Sequence, residues 1–141
     1  MSQSWAFWAF LSAVFAALTA VFGKVGVAGV NSDLATLIRT VVIFLVLIGI
    51  VTATGQWQSP SGISVKTWVF LGLSGLATGG SWIAYYRALK IGDAARVAPI
   101  DKLSIVMVAI FAAIFLGEKL SLGAWAGVVM IAAGAIMVAL F

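Results

Sequence analysis

The side chains able to do chemistry in this chain are few: four carboxylates, Asp33, Asp93, Asp101 and Glu118, eight Lys or Arg, and no His or Cys. Asp101 and Lys102 are adjacent, follow Pro99 closely and precede the uncharged stretch Ser104 to Leu116. Ionisable groups drawn into an apolar medium are costly unless they face a water-filled cavity or pair with an opposite charge, so both residues are candidates for contact with a solute or a coupling ion. A plainer role competes: Asp101 caps a helix or pairs with a basic neighbour while Lys102 reaches towards lipid headgroups. Arg39 and Lys24 pose the same choice between interfacial anchor and anion-recognising group, and the planar guanidinium of Arg39 is the better suited of the two to an anion. The aromatic cluster Trp82, Tyr85 and Tyr86 reads either as an interface belt or as a stacking and hydrogen-bonding wall for a solute.

This inventory points to binding and not to covalent catalysis. Without Cys there is no thiolate metal site, disulfide framework or redox nucleophile, and without His there is no imidazole relay. No two carboxylates have catalytic spacing. There is no phosphate loop, HExxH helix or nucleophile elbow, and Gly75, Gly79 and Gly80 do not follow a strand. No enzyme activity, metal or cofactor is expected. The net charge of +4 comes from basic residues scattered over helix ends and short loops, so nucleic acid is not an expected partner.

The elements that must position these groups are apolar helices. The chain is 64% hydrophobic and 9% charged, far from a soluble domain. Five apolar stretches of membrane-crossing length occupy almost all of it, at about residues 4–22, 34–53, 67–86, 97–116 and 120–141. The expected fold is all-α and integral to the membrane, with five transmembrane helices in a single domain over residues 1–141. The first span is too long for a secretory signal and is read as retained. Asn31-Ser32-Asp33 reads as the turn and N-cap of the second span, and Thr54 to Ser64, with Gly55, Pro60 and Gly62, as the longest connection. The fourth span is the informative one. Its uncharged run from Ser104 to Leu116 has 13 residues, too short to cross, and extension back to Val97 draws in Asp101 and Lys102. Pro99 is placed near the start of that helix, where its missing N–H costs little. Gly75 with Gly79, and Gly123 with Gly127, have the four-residue spacing that lets helices approach closely, either within one subunit or between two.

From Tyr86 onward the chain reads Tyr-Arg-Ala-Leu-Lys-Ile-Gly-Asp-Ala-Ala-Arg-Val-Ala-Pro-Ile-Asp-Lys-Leu, followed by Phe-Leu-Gly-Glu-Lys-Leu and a last helix with Gly127 and Gly134. This resembles the EamA family of the drug/metabolite transporter superfamily, in Ala88-Leu89, Pro99 and Gly117-Glu118, with Lys24 late in helix one and Arg39 early in helix two. The resemblance implies half of a ten-helix transporter: one five-helix unit that pairs, most simply as a homodimer, to enclose a path for a small-molecule solute. It implies a secondary transporter, an exporter of a small organic metabolite by alternating access, in a bacterial or archaeal cytoplasmic (inner) membrane. A lipid-linked carrier flippase or accessory membrane subunit is the alternative. Span one has no acidic residue, unlike the related small multidrug exporters.

Charge bias sets an orientation against that symmetry. One face collects Lys24, Arg39, Arg87, Lys90 and Arg96, and the other Lys66 and Lys119. The richer face is expected in the cytoplasm, with the N-terminus outside. An inverted pair needs one copy the other way up, so the homodimer is expected to be antiparallel, with a parallel dimer as competitor.

Overall fold

A computed structural model describes residues 4–141; the first three residues of the expected 1–141 domain lie outside the described residues. Every regular element among them is helical: α1 (Trp5–Val27), α2 (Ser32–Ala53), α3 (Val65–Ile91), α4 (Ala94–Asp101), α5 (Ser104–Phe115) and α6 (Leu122–Leu140), with a short 3₁₀ turn at Pro60–Gly62. The helices group into two compact units, one holding the chain up to Lys24 together with Ile91–Phe141, the other Val25–Lys90.

The helix ends follow from local chemistry. Asn31, in extended conformation, accepts from the backbone N–H groups of Asp33 (2.8 Å) and Leu34 (3.3 Å), as its place before α2 predicted. Ser121 does the same for α6, accepting from Ala124 N–H at 3.2 Å. At the other end of α2, Gly55 takes φ +65°. Its N–H reaches the Thr52 carbonyl, and that of Gln56 the Val51 carbonyl, which is the paired closure that a left-handed residue after a helix permits. Gly117, at φ +67°, stops α5, which gives the Gly117-Glu118 pair a backbone reason.

The helices outrun the expected spans at two ends: α1 continues past residue 22 to Val27, with Lys24 in its last turn, and α3 past Tyr86 to Ile91, so Trp82, Tyr85 and Tyr86 lie further from the end of α3 than expected. The fourth span is not one helix. Lys102 and Leu103 interrupt it, with Leu103 N–H bonded to the Ile100 carbonyl, Ile105 to Lys102 and Val106 to Leu103. These i→i−3 bonds mark a tightened 3₁₀-like turn between α4 and α5. Pro99 is the sixth residue of α4, well inside the helix, so the Ala95 carbonyl loses its usual α-helical donor.

Four segments are long and apolar enough to cross a membrane: α1, α2, α4 with α5 (Ala94–Phe115), and α6. The 27-residue α3 is not among them, because Gly72, Ser74, Gly75, Thr78, Gly79, Gly80 and Ser81 dilute its apolar character. The chain is a multi-pass membrane protein by this measure. Its buried core is small. In the first unit, where α6 packs on α4 and α5, the buried positions of α5 and α6 are Ala109, Ala112 and Ala135; small side chains let helix backbones close up where lipid supplies no hydrophobic drive. Large apolar side chains instead face outward, among them Leu45 (61% exposed) and Phe115 (76%).

In the second unit, polar clasps hold the helix ends. Arg87 on α3 makes a two-pronged bond to Asp33 at the start of α2, Nε to Oδ1 at 2.9 Å and Nη2 to Oδ2 at 2.7 Å. Lys90 Nζ donates to the carbonyls of Val27, Ala28 and Val30 at 2.8, 3.0 and 2.7 Å. Its three protons thus match three acceptors that the end of a helix leaves open.

Candidate functional site

Within the second unit, α2 and α3 bring Arg39 onto the aromatic residues of the third span. The guanidinium carbon lies 4.0 Å from the centroid of the Trp82 ring and 5.1 Å from that of Tyr86. Trp82 and Tyr86 are four residues apart and therefore share one face of α3. A guanidinium stacked on an aromatic face is held by the ring quadrupole, and its N–H groups stay in its own plane, free to meet an acceptor edge-on. One of them has none: Nη1 is shielded from solvent and has no hydrogen-bond partner among the described residues. A buried donor left open forfeits the bond it would make with water, so this atom is poised for an oxygen that is not part of the chain as described.

A groove of about 440 Å³ begins beside this stack. Its α2 wall is Thr40, Ile43, Phe44 and Leu47, the i, i+3, i+4, i+7 face of one helix. On α3 it is lined by Leu71, Ser74, Gly75, Thr78, Gly79 and Trp82, so Trp82 belongs both to the groove and to the Arg39 stack. Two of the three hydroxyls along it are spent on their own helices: Thr40 Oγ1 donates to the Thr36 carbonyl at 2.7 Å and Thr78 Oγ1 to the Ser74 carbonyl at 2.8 Å, which leaves the Ser74 hydroxyl as the third. Its lining is apolar in effect, with no carboxylate and one cation at its end.

Gly75 and Gly79 belong to this groove and not to a close helix contact inside the chain. A Cβ added at either would meet nothing within 4 Å, and the same holds for Gly127, while at Gly123 it would meet only Ser121 Oγ at 3.9 Å. At none of these four glycines does the backbone of another helix within its unit approach an added Cβ within 4 Å.

In the first unit, Asp101 and Lys102 flank the tightened turn and pair with each other, Lys102 Nζ to Asp101 Oδ2 at 3.1 Å, with side chains 34% and 49% exposed respectively. Lys24 Nζ donates to the Gly92 carbonyl at 2.7 Å, an anchoring bond from α1 to the segment between α3 and α4. Tyr85 meets Tyr86 edge-on, with centroids 6.3 Å apart, while Tyr86, buried, is the tyrosine under Arg39. Sequence reasoning did not single out Arg87, Lys90 or the α2 wall of the groove. The period of small and hydroxyl residues on α3, from Ser74 to Gly79, was the available signal for the groove; the two clasps had none, because their partners are more than fifty residues apart.

The model of the EamA-like transporter family matches residues 3–140. A protein of Sinorhizobium sp. named "Uncharacterized transporter in cobO 3′ region" is 73% identical over 141 residues, the full length of both chains. No solved structure matches the chain.

Proposed function

The chain belongs to the EamA-like transporter family, and on that premise we propose that it is a secondary transporter that exports a small organic metabolite by alternating access of a homodimer. The observation that carries the reading is the α2–α3 groove with its stacked, partly unsatisfied Arg39, a concave, mostly apolar site with one placed polar group, as solute sites are. The homodimer is supported by the small buried core and by glycines whose faces meet nothing inside the chain. In this proposal α3 is the fifth crossing segment. At about 40 Å for 27 residues it exceeds the hydrocarbon thickness, and its small and hydroxyl residues line the path instead of facing lipid. Asp101 and Lys102 sit at a break between two half-helices, where backbone groups leave their usual ladder, an arrangement that transporters use at ion and solute sites. In the first unit they are the proposed coupling pair, with Lys24 a proposed anion-recognising group; in the second, Trp82 and Tyr85 are the proposed aromatic wall. The membrane is the bacterial cytoplasmic membrane, as the Sinorhizobium relative supports.

The test is a metabolite-efflux screen in a strain lacking the protein, followed by flux of the solute found in proteoliposomes that contain this chain alone. Export restored by the wild-type chain, and reduced at least tenfold in Asp101→Asn at equal membrane abundance, is the expected result. Flux that requires a second protein, or an Asn variant that transports normally, would count against it.

A further inference from the structure

The groove and the Arg39 stack together define a ligand class. Arg39 Nη1 is buried with no hydrogen-bond partner among the described residues, and the guanidinium face is already occupied by Trp82 at 4.0 Å and Tyr86 at 5.1 Å. What remains uncommitted is the guanidinium edge, whose geometry matches the two oxygens of a carboxylate. Beyond it the groove is mostly apolar, with its two threonine hydroxyls committed to backbone carbonyls, the Ser74 hydroxyl besides them, and no Asp or Glu in its lining. From Arg39 to Leu47 the α2 wall rises about 12 Å. We propose that this site binds an amphipathic carboxylate, the head on the edge of Arg39 and the apolar body laid along Ile43, Phe44 and Leu47 towards Leu71, over the gap left by Gly75 and Gly79. A cation is the wrong occupant. The rings that would attract it hold Arg39 already, and that fixed charge would repel a second one. At about 440 Å³ the groove suits a solute of drug size and is too small for a two-chain phospholipid.

The inference names the substrate class of the transporter proposed above and rests on that reading for its physiological meaning, but its test is a binding measurement that needs no transport. The chain, purified into phosphatidylcholine nanodiscs free of anionic lipid, is titrated calorimetrically with decanoate, decanol and decyltrimethylammonium, three ligands of one chain length and three charges. Saturable decanoate binding at least tenfold tighter than that of either other ligand is expected. Arg39→Gln should erase the preference, and Arg39→Lys, which keeps the charge and loses the planar fork, should restore only part of it. Trp82→Leu, which removes the platform but not the charge, should weaken decanoate binding without abolishing it. Equal binding of decanoate and decanol to the wild-type chain, or tighter binding of the cation, overturns the proposal with no variant needed. Preference unchanged in Arg39→Gln overturns it as well, as does loss of decanoate binding on addition of phosphatidylglycerol at equimolar amounts, which would assign the site to lipid. Decanoate binding without flux of any carboxylate would leave the site standing and sink the transporter reading; flux unaffected by Arg39→Gln with no carboxylate preference would do the reverse.

Discussion

Lys90 carries a role that its residue type alone does not announce. Three carbonyls at the end of α1 and the start of the following loop converge on its ammonium, so Lys90→Met leaves all three without a charged donor. Charge-assisted bonds exceed neutral ones, yet part of this site is open to solvent, and the expected loss is about 1–2 kcal/mol. A thermal unfolding midpoint lower by several degrees in detergent, against little change for Lys66→Met, would bear this out; equal midpoints would mean that water replaces the ammonium at no cost. Arg39 and Trp82 were each legible as candidates, from a cation two turns into a helix and an indole in an aromatic cluster. Their stacking was not, because Arg39 and Trp82 are 43 positions apart and no local period links them. Tyr86 and Tyr85 were indistinguishable in sequence; only the four-residue step from Trp82 puts Tyr86, and not Tyr85, under the same guanidinium.

The elements show where a helix can be read from sequence and where it cannot. Asn31 and Gly55 announced the ends of α2 because side-chain oxygens and left-handed glycine act locally. The turn at Lys102–Leu103 had no such marker. It contains neither Gly nor Pro, and Pro99 disturbs the helix on its N-terminal side, so the sequence predicted an unbroken span. The shortfall of the run from Ser104 to Leu116 was the correct clue: the crossing segment does extend backwards through Asp101 and Lys102, to Ala94, but a second, shorter helix supplies the extension. The groove is a property of α3, and its test belongs to that element. The Cβ of Gly79→Leu would meet no described atom within 4 Å, so its unfolding midpoint should stay close to that of wild type, while the rest of the side chain extends into the space beside Trp82. Transport of the exported solute should fall at least tenfold. A variant that transports normally would show that the groove is not on the path, and one that unfolds would show that α3 packs more tightly than Gly79 implies.

At the scale of the whole molecule, the exposed apolar surface has to be covered by lipid and, in the proposed homodimer, by a second copy. Gly127 and Gly134 separate these two fates. Neither has a described atom within 4 Å of an added Cβ, so the first carbon of a Leu side chain fits at either site, but only Gly127 has a glycine partner four residues away, at Gly123. Gly127→Leu should reduce dimer yield in detergent several-fold more than Gly134→Leu at matched expression; equal effects would remove the small-residue contact from the interface. Orientation has a clean readout because the chain has no Cys. A single cysteine at Ser61, probed in intact cells with an impermeant thiol reagent, should label in about half of the copies if the dimer is antiparallel, whereas complete labelling would establish one orientation and a parallel pair.

The clasps at Arg87 and Lys90 bear on how such a chain is made. Both residues count towards the basic excess of one face, but in the folded unit Arg87 is matched by Asp33 and Lys90 by carbonyls. Their topological message is therefore legible to the insertion machinery only while the nascent chain is unfolded. They also emerge from the ribosome after α1 and α2, when those helices have already begun to commit to a side. The early decision falls to Lys24 and Arg39, two charges with little leverage, and the later three arrive to ratify a choice instead of making it. If the proposed dimer is antiparallel, the order in which these charges are translated is what would let one sequence insert in both orientations.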